Sequence, residues 1–183
     1  MDNPATFAAI KLEGLEKNAL TSTLATLRTP DWQHPDDYHI TLAYLGHAIP
    51  AQQSLFLKEL CSCRLPPPEL TIVGAGVLKT DTECVVHAGI QHDQTLIRIW
   101  QTCQTALVAA GLPRSRFPVF TPHVTLLRLP RNRVDEACGI ARSIPPLLRQ
   151  FTAESIAFCE KRPAAQGPQY RMLAQIGFDK NIA

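Results

Sequence analysis

The sequence predicts an α+β chain of two similar lobes that face each other across a cleft. The pattern His-apolar-Thr-Leu occurs twice, as His39-Ile40-Thr41-Leu42 and His123-Val124-Thr125-Leu126. Around each copy the order strand, helix, motif strand, helix, strand repeats, as an internal duplication would produce. Apolar residues make up 45% of the 183 and charged ones 19%, enough for a buried core and against disorder. From this composition roughly 0.03 copies of the pattern are expected by chance, so two copies are a signal.

Thr6 to Leu12 is a short apolar run ended by Glu13-Gly14 and reads as the first strand. Leu15 to Leu27 follows, with Leu15, Ala19, Leu20, Leu24 and Leu27 at helical spacing. Residues 29–37 form a Pro- and Asp-rich loop into the first motif strand, Tyr38 to Leu45, closed by Gly46. Ala51 to Cys61 is the second helix, offering Leu55, Leu57 and Leu60 to the core, and Pro66-Pro67-Pro68 stops it. Leu70 to Lys79 and Glu83 to Ile90 are strands joined by a turn; Gly74 and Gly76 in the first suggest a bulge or a close backbone approach.

Thr95 to Ala110 is the longest helix, with Leu96, Ile99, Trp100, Cys103, Leu107 and Val108 on one side and Gly111 as its stop. A loop over 112–122 delivers the second motif strand, His123 to Leu129. A helix from about Val134 to Ser143 comes next, then two last strands, about Phe151 to Cys159 and Tyr170 to Phe178, around the polar turn 161–168. The expected organisation is one domain over 1–183, with lobes of roughly 1–82 and 83–183.

Side chains alternate across a strand, so His39 and Thr41 share a face, as do His123 and Thr125. Two such strands facing each other place two imidazoles and two hydroxyls around one point, a set suited to acid–base chemistry at a phosphate. Arg114, Arg116, Arg128, Arg131 and Arg133 lie in a stretch of twenty residues without Asp or Glu, which suits an anionic ligand. Neither a His-Glu-x-x-His motif nor an acidic cluster accompanies the motifs, so no metal and no cofactor is expected. The other histidines, His34, His47, His87 and His92, read as surface or loop residues.

Six scattered cysteines without Cys-x-x-Cys spacing suit free thiols and a cytoplasmic setting. The segment from Met1 to Gly14 does not read as a signal peptide, and no apolar run approaches membrane-spanning length. A net charge of +2 is too small to argue for wrapping a long duplex.

With the contexts YHITLAYLG and TPHVTLLR, the chain resembles the 2H phosphoesterase superfamily, and most specifically its bacterial and archaeal RNA 2′,3′-cyclic phosphodiesterases, also called 2′-5′ RNA ligases. The resemblance covers nearly the whole chain, including FAAIKL in the first strand and Gly167-Pro168-Gln169-Tyr170 near the end. It departs at Thr6, where the family often has Arg, and at Glu13-Gly14, where Pro commonly follows the first strand. The resemblance implies a bilobal, pseudo-twofold fold, with two antiparallel sheets lining a central cleft and helices outside. It implies His39 as proton donor to the leaving oxygen and His123 as the base that activates water, with Thr41 and Thr125 on the phosphate oxygens. It also singles out Arg128 as a phosphate contact and Tyr44 as the aromatic packing on a terminal ribose or base, ahead of Trp32 and Phe120.

Hydrolysis of 2′,3′-cyclic RNA ends to 2′-phosphates is the expected activity, with 2′-5′ ligation alongside. The alternatives are cleavage of 2′-5′ oligoadenylate or cyclic oligonucleotide signals at the same site, and a nucleotide- or RNA-end-binding module without turnover. The expected partner is an RNA 3′ end or short oligonucleotide, bound by a monomer away from membranes. A two-imidazole mechanism predicts a kcat/KM profile that is bell-shaped around neutrality.

Overall fold

A computed structural model describes residues 3–27, 32–116, 119–162 and 168–181. The expected loop residues 29–31 and 117–118, and 163–167 of the last turn with Gly167, lie outside the described residues. In chain order the elements are β1 (Thr6–Lys11), α1 (Gly14–Ala25), β2 (His39–Gly46), α2 (Pro50–Ser62), β3 (Glu69–Lys79), β4 (Glu83–Ile90), α3 (Gln94–Ala109), β5 (His123–Pro130), α4 (Val134–Ser143), β6 (Leu148–Thr152), β7 (Ser155–Lys161) and β8 (Tyr170–Gly177). One-turn 3₁₀ segments at Pro35–Asp37 and Arg131–Arg133 precede β2 and α4. No helix among the described residues is long and apolar enough to cross a membrane.

The strands form one antiparallel sheet in the order β6-β3-β4-β5-β2-β1-β7-β8. At its centre β2 and β5 meet through a single residue pair, Ile40 opposite Val124. The two expected sheets are therefore two four-stranded halves hinged at one bridge, and the order reads symmetrically from that bridge outward. The expected lobe boundary near 82/83 falls in the turn of the β3–β4 hairpin, whose strands pair from Ile72–Ile90 to Lys79–Cys84. One half holds β3 to β6, and the other joins β1 and β2 to the chain's last strands, β7 and β8. The strand expected at 151–159 is likewise two strands, because the chain turns at Ala153-Glu154. There Ala153 is buried and its N–H donates to the Pro68 carbonyl at 3.1 Å.

One face of the sheet is packed by helices. Ile10, Ile40, Ile72, Val86, Ala88 and Val124 are buried there against Leu20 and Leu24 of α1, Phe56 and Leu60 of α2, Leu96, Ile99, Cys103 and Leu107 of α3 and Ala137 of α4. The expected helix stripes need three corrections. Leu15 and Leu55 are exposed, since the 3.6-residue pitch turns Leu20/Leu24 and Phe56/Leu60 inward instead. Val108 is exposed as well, one residue past buried Leu107. Gln104 is the polar member of the α3 stripe, 5% exposed.

Gln104 is buried because the motif strands are not regular. Ala8 pairs with Ala43 and Ala9 with Thr41, so Leu42 is an extra, bulged residue; Val86 pairs with Leu127 and His87 with Thr125, so Leu126 is its counterpart. A bulge frees a carbonyl from the ladder, and a buried free carbonyl costs about 1–3 kcal/mol unless it finds a donor. Gln104 Nε2 donates to the Leu42 carbonyl at 2.9 Å, and the Gln33 N–H donates to the Leu126 carbonyl at 2.7 Å. Gln104 Oε1 also accepts the Ser115 N–H at 2.8 Å, tying the loop before β5 to β2.

Candidate active site

Because Ile40 and Val124 both point into the helix-packed core, the residues beside them point to the opposite face. His39 and Thr41 on β2 and His123 and Thr125 on β5 therefore surround the central bridge on the helix-free face. The bulges extend this set. His39 and Tyr44 are five residues apart, as are His123 and Arg128, an odd spacing that would put each pair on opposite faces of a regular strand. The extra residue in each strand returns Tyr44, opposite Phe7, and Arg128, opposite Val85, to the motif face.

Both imidazoles are held in the same way. His39 Nδ1–H donates to the Asp37 carbonyl at 2.6 Å, and His123 Nδ1–H donates to the Thr121 carbonyl at 2.8 Å. A carbonyl can only accept, so Nδ1 carries the proton and Nε2 is left for a substrate. Burial pushes the His39 pKa down to about 4, with the charges of Arg128, His123 and Lys11 adding to the shift. Burial also lowers that of His123, and Arg128 contributes. Both shifts favour neutral rings at pH 7, and the same cationic surroundings favour a phosphate.

The rings around the two histidines differ. His39 packs against Phe7 at a centroid distance of 4.9 Å and against the edge of Tyr170 at 5.1 Å. His123 meets the ring of His87 at 5.3 Å. The expectation that His87 is a surface or loop residue is thus corrected: it lies on β4 opposite Thr125, which puts it on the motif face. Its Nδ1 is buried and makes no well-formed hydrogen bond among the described residues. His34 and His47 do lie outside the site, where His34 Nδ1 accepts the Asp36 N–H and His47 Nδ1–H donates to the Asn3 carbonyl; His92 is exposed.

Sequence reasoning also missed Lys11 and Asp37. Lys11 sits opposite His39 at the end of β1, a placement visible only once the β1–β2 register is known. Asp37 is 2% exposed, and its carboxylate accepts the Gln169 N–H at 2.7 Å and the Tyr170 N–H at 3.1 Å. It thereby joins the turn before His39 to the start of β8, and so to the ring packed on His39. The Pro-Asp-Asp run of the loop was the only local sign of a 3₁₀ turn there, and nothing local announces a partner more than 130 residues away.

Among the basic and aromatic candidates, Arg128 is paired with Glu83 at 2.8 Å on the surface of the site. Arg131 donates to the Thr80 carbonyl beside the β3–β4 turn, and Arg133 pairs with Glu136 in α4. Arg114 and Arg116 are on the exposed loop before β5. Tyr44 is 63% exposed, an open aromatic face beside the motifs. Phe120 is stacked on Trp100 at 5.2 Å, and Trp32 is packed against the core, so neither is offered as Tyr44 is. A cavity of about 280 Å³ lies past Lys11 among Glu13, Glu16 and Glu154 and includes none of the motif residues. No group of three or more His, Cys, Asp or Glu side chains that could hold a metal ion occurs among the described residues.

The chain and its fold are similar to known proteins. The model of the 2′-5′ RNA ligase superfamily matches residues 18–162. An RNA 2′,3′-cyclic phosphodiesterase of Geobacillus stearothermophilus is 24% identical over 175 residues, covering 92% of this chain and 55% of that protein. The chain thus spans about half the length of that curated relative. Crystal structures of E. coli LigT match the fold: the complex with 3′-AMP has a TM-score of 0.79 at 23% identity over 96% of this chain and 98% of that one. The NADP+ complex has 0.78 at 23% identity over 97% and 99%. With the family model spanning well over half of its length, both motif strands included, the chain belongs to the 2′-5′ RNA ligase superfamily.

Proposed function

We propose that this chain is a phosphodiesterase that opens 2′,3′-cyclic phosphates at RNA 3′ ends to 2′-phosphates by two-histidine acid–base catalysis. One observation carries the reading: two His-Thr pairs flank a single inter-strand bridge, each imidazole clamped at Nδ1 with Nε2 free. His123 Nε2 takes a proton from water as the water oxygen bonds to phosphorus. The P–O3′ bond breaks and the phosphate remains on O2′; His39, made an imidazolium by a second proton taken up on Nε2 when the phosphate anion binds, gives that proton to the leaving O3′. Thr41 and Thr125 donate hydrogen bonds to the non-bridging oxygens, and Arg128 and Lys11 offset their charge. Tyr44 offers its exposed face to the terminal nucleoside. A 5′-hydroxyl in the place of water would give a 2′-5′ linkage by the same transfer. Both histidines come from one chain, so a monomer suffices, and acid and base are supplied without a metal.

The names of the relatives support a nucleotide substrate. The test is hydrolysis, with EDTA present, of a short RNA ending in a 2′,3′-cyclic phosphate, set beside a 2′-5′-linked oligoadenylate. Opening of the cyclic end to a 2′-phosphate is the expected result. Cleavage of the 2′-5′ linkage alone would move the function to signal degradation, and turnover of neither would leave cyclic oligonucleotides or a binding role.

The lowered histidine pKa values move the pH optimum from the neutrality expected of unperturbed imidazoles. Since kcat/KM reports the free enzyme, its bell should peak below pH 6.5. A bound phosphate anion favours the imidazolium, so the kcat profile should be displaced to higher pH. Initial rates from pH 4 to 10 check this. A kcat/KM that climbs steadily to pH 10 would rule out two imidazoles as the acid and base.

A further inference from the structure

We infer that His87 is the positioning residue for His123, filling on the β4 side the place that Phe7 and Tyr170 take around His39. The inference deepens the proposed mechanism and rests on it, but its main readout needs no turnover. Three observations place the ring. The β4 register sets His87 opposite both Gly76 on β3 and Thr125 on β5, and cross-strand partners share a face. Its ring meets that of His123 at 5.3 Å with an interplanar angle of 63°. On the other side a Cβ added at Gly76 would stand 3.0 Å from His87 Nε2 and 3.2 Å from Cε1. The imidazole is thus held between Gly76, where a Cβ would press on it, and the His123 ring.

Simple space filling does not account for a histidine here. Its buried Nδ1 has only the Ala88 backbone beside it and makes no well-formed hydrogen bond among the described residues, a cost that an apolar side chain in the same slot would not carry. Burial, and then the charge of His123, lower the His87 pKa, so His87 stays neutral when His123 takes up a proton. A neutral ring on its flank fixes the rotamer of His123 and keeps water from that side without competing for the proton. The charged and titratable groups around the pair are His39 from β2 and Arg128 from β5; Gly76 brings none from β3.

The test follows the His123 Cε1–H resonance through a pH titration in substrate-free protein, for wild type, His87→Ala, Gly76→Ala and the double variant. His87→Ala should raise the His123 midpoint by about half a unit or more as water reaches the ring, and leave that of His39 in place. With 2′,3′-cyclic phosphate RNA, kcat should fall roughly tenfold and KM change little. Gly76→Ala, a mild change at a residue without positive φ, should push the His87 ring and lower kcat severalfold. In the His87→Ala background the same methyl should have no effect, since Gly76 acts only through His87. A His123 midpoint unmoved in both single variants overturns the inference, as does a Gly76→Ala penalty that persists without His87. Should wild type fail to open cyclic ends, the function proposed above falls, while the titrations still decide whether His87 sets His123. If His87→Ala does not fold, the Gly76→Ala titration decides alone.

Discussion

His39→Ala and His123→Ala should each lower kcat on a 2′,3′-cyclic phosphate by about 10²–10⁴-fold, the usual worth of a positioned acid or base. The double variant should be little worse than the poorer single one, because acid and base act in one step and their losses do not add. KM should stay within a few-fold, with Thr41, Thr125 and Arg128 still present to hold the phosphate. Single-turnover measurements on all three variants check this, and either single variant keeping more than a tenth of wild-type kcat would remove that histidine from the mechanism. Melting curves separate lost chemistry from lost fold. The His39 pKa falls from an ordinary 6.5 to about 4 in the fold, so between those values the unfolded chain binds the extra proton. Wild type therefore loses stability as pH drops from 6.5 toward 4. His39→Ala lacks that proton uptake, and its melting temperature should fall less over the same range.

Asp37→Ala should be the most damaging change outside the motifs. It leaves the Gln169 and Tyr170 N–H groups without their acceptor, and hydrogen bonds to a charged group are worth about 1.5–3 kcal/mol each. Destabilisation of about 3 kcal/mol is expected in denaturant titrations. Asp37→Asn should cost about half as much, since one amide oxygen remains to accept. The Asp37 carbonyl still holds His39 in both variants, but Tyr170 loses its anchor against the ring, so kcat should fall roughly tenfold in protein that is still folded at 25 °C. Asp37→Ala with wild-type stability would show that β8 is held to the motif face without this carboxylate.

The two motif strands were legible in the chain because they rest on local pattern. A period of two puts His39 with Thr41 and His123 with Thr125, and the duplicated tetrapeptide marks both strands. Helical spacing and the flanking Gly and Pro residues place all four helices to within about two residues, and α4 at its observed ends. The exchange of strands between halves was not legible. β3 joins the later half through β4 and β6, while β7 crosses back to pair with β1, and a pairing across more than a hundred residues leaves no periodic trace in either segment.

What the amino-acid order alone established is a duplicated α+β chain with two His-x-Thr strands and a surplus of arginine around the second. Tertiary structure decided which residues join them. The bulges at Leu42 and Leu126 reverse the facing of Tyr44 and Arg128, and they persist because Gln104 and Gln33 satisfy the carbonyls they expose. Register brings Lys11 opposite His39, Asp37 closes on β8, and His87 reaches His123 because Gly76 leaves it room. The reason is physical: alternation along a strand is a property of the local backbone. An extra residue in the ladder, a buried acceptor or a ring slot is defined only by the distant segment packed against it.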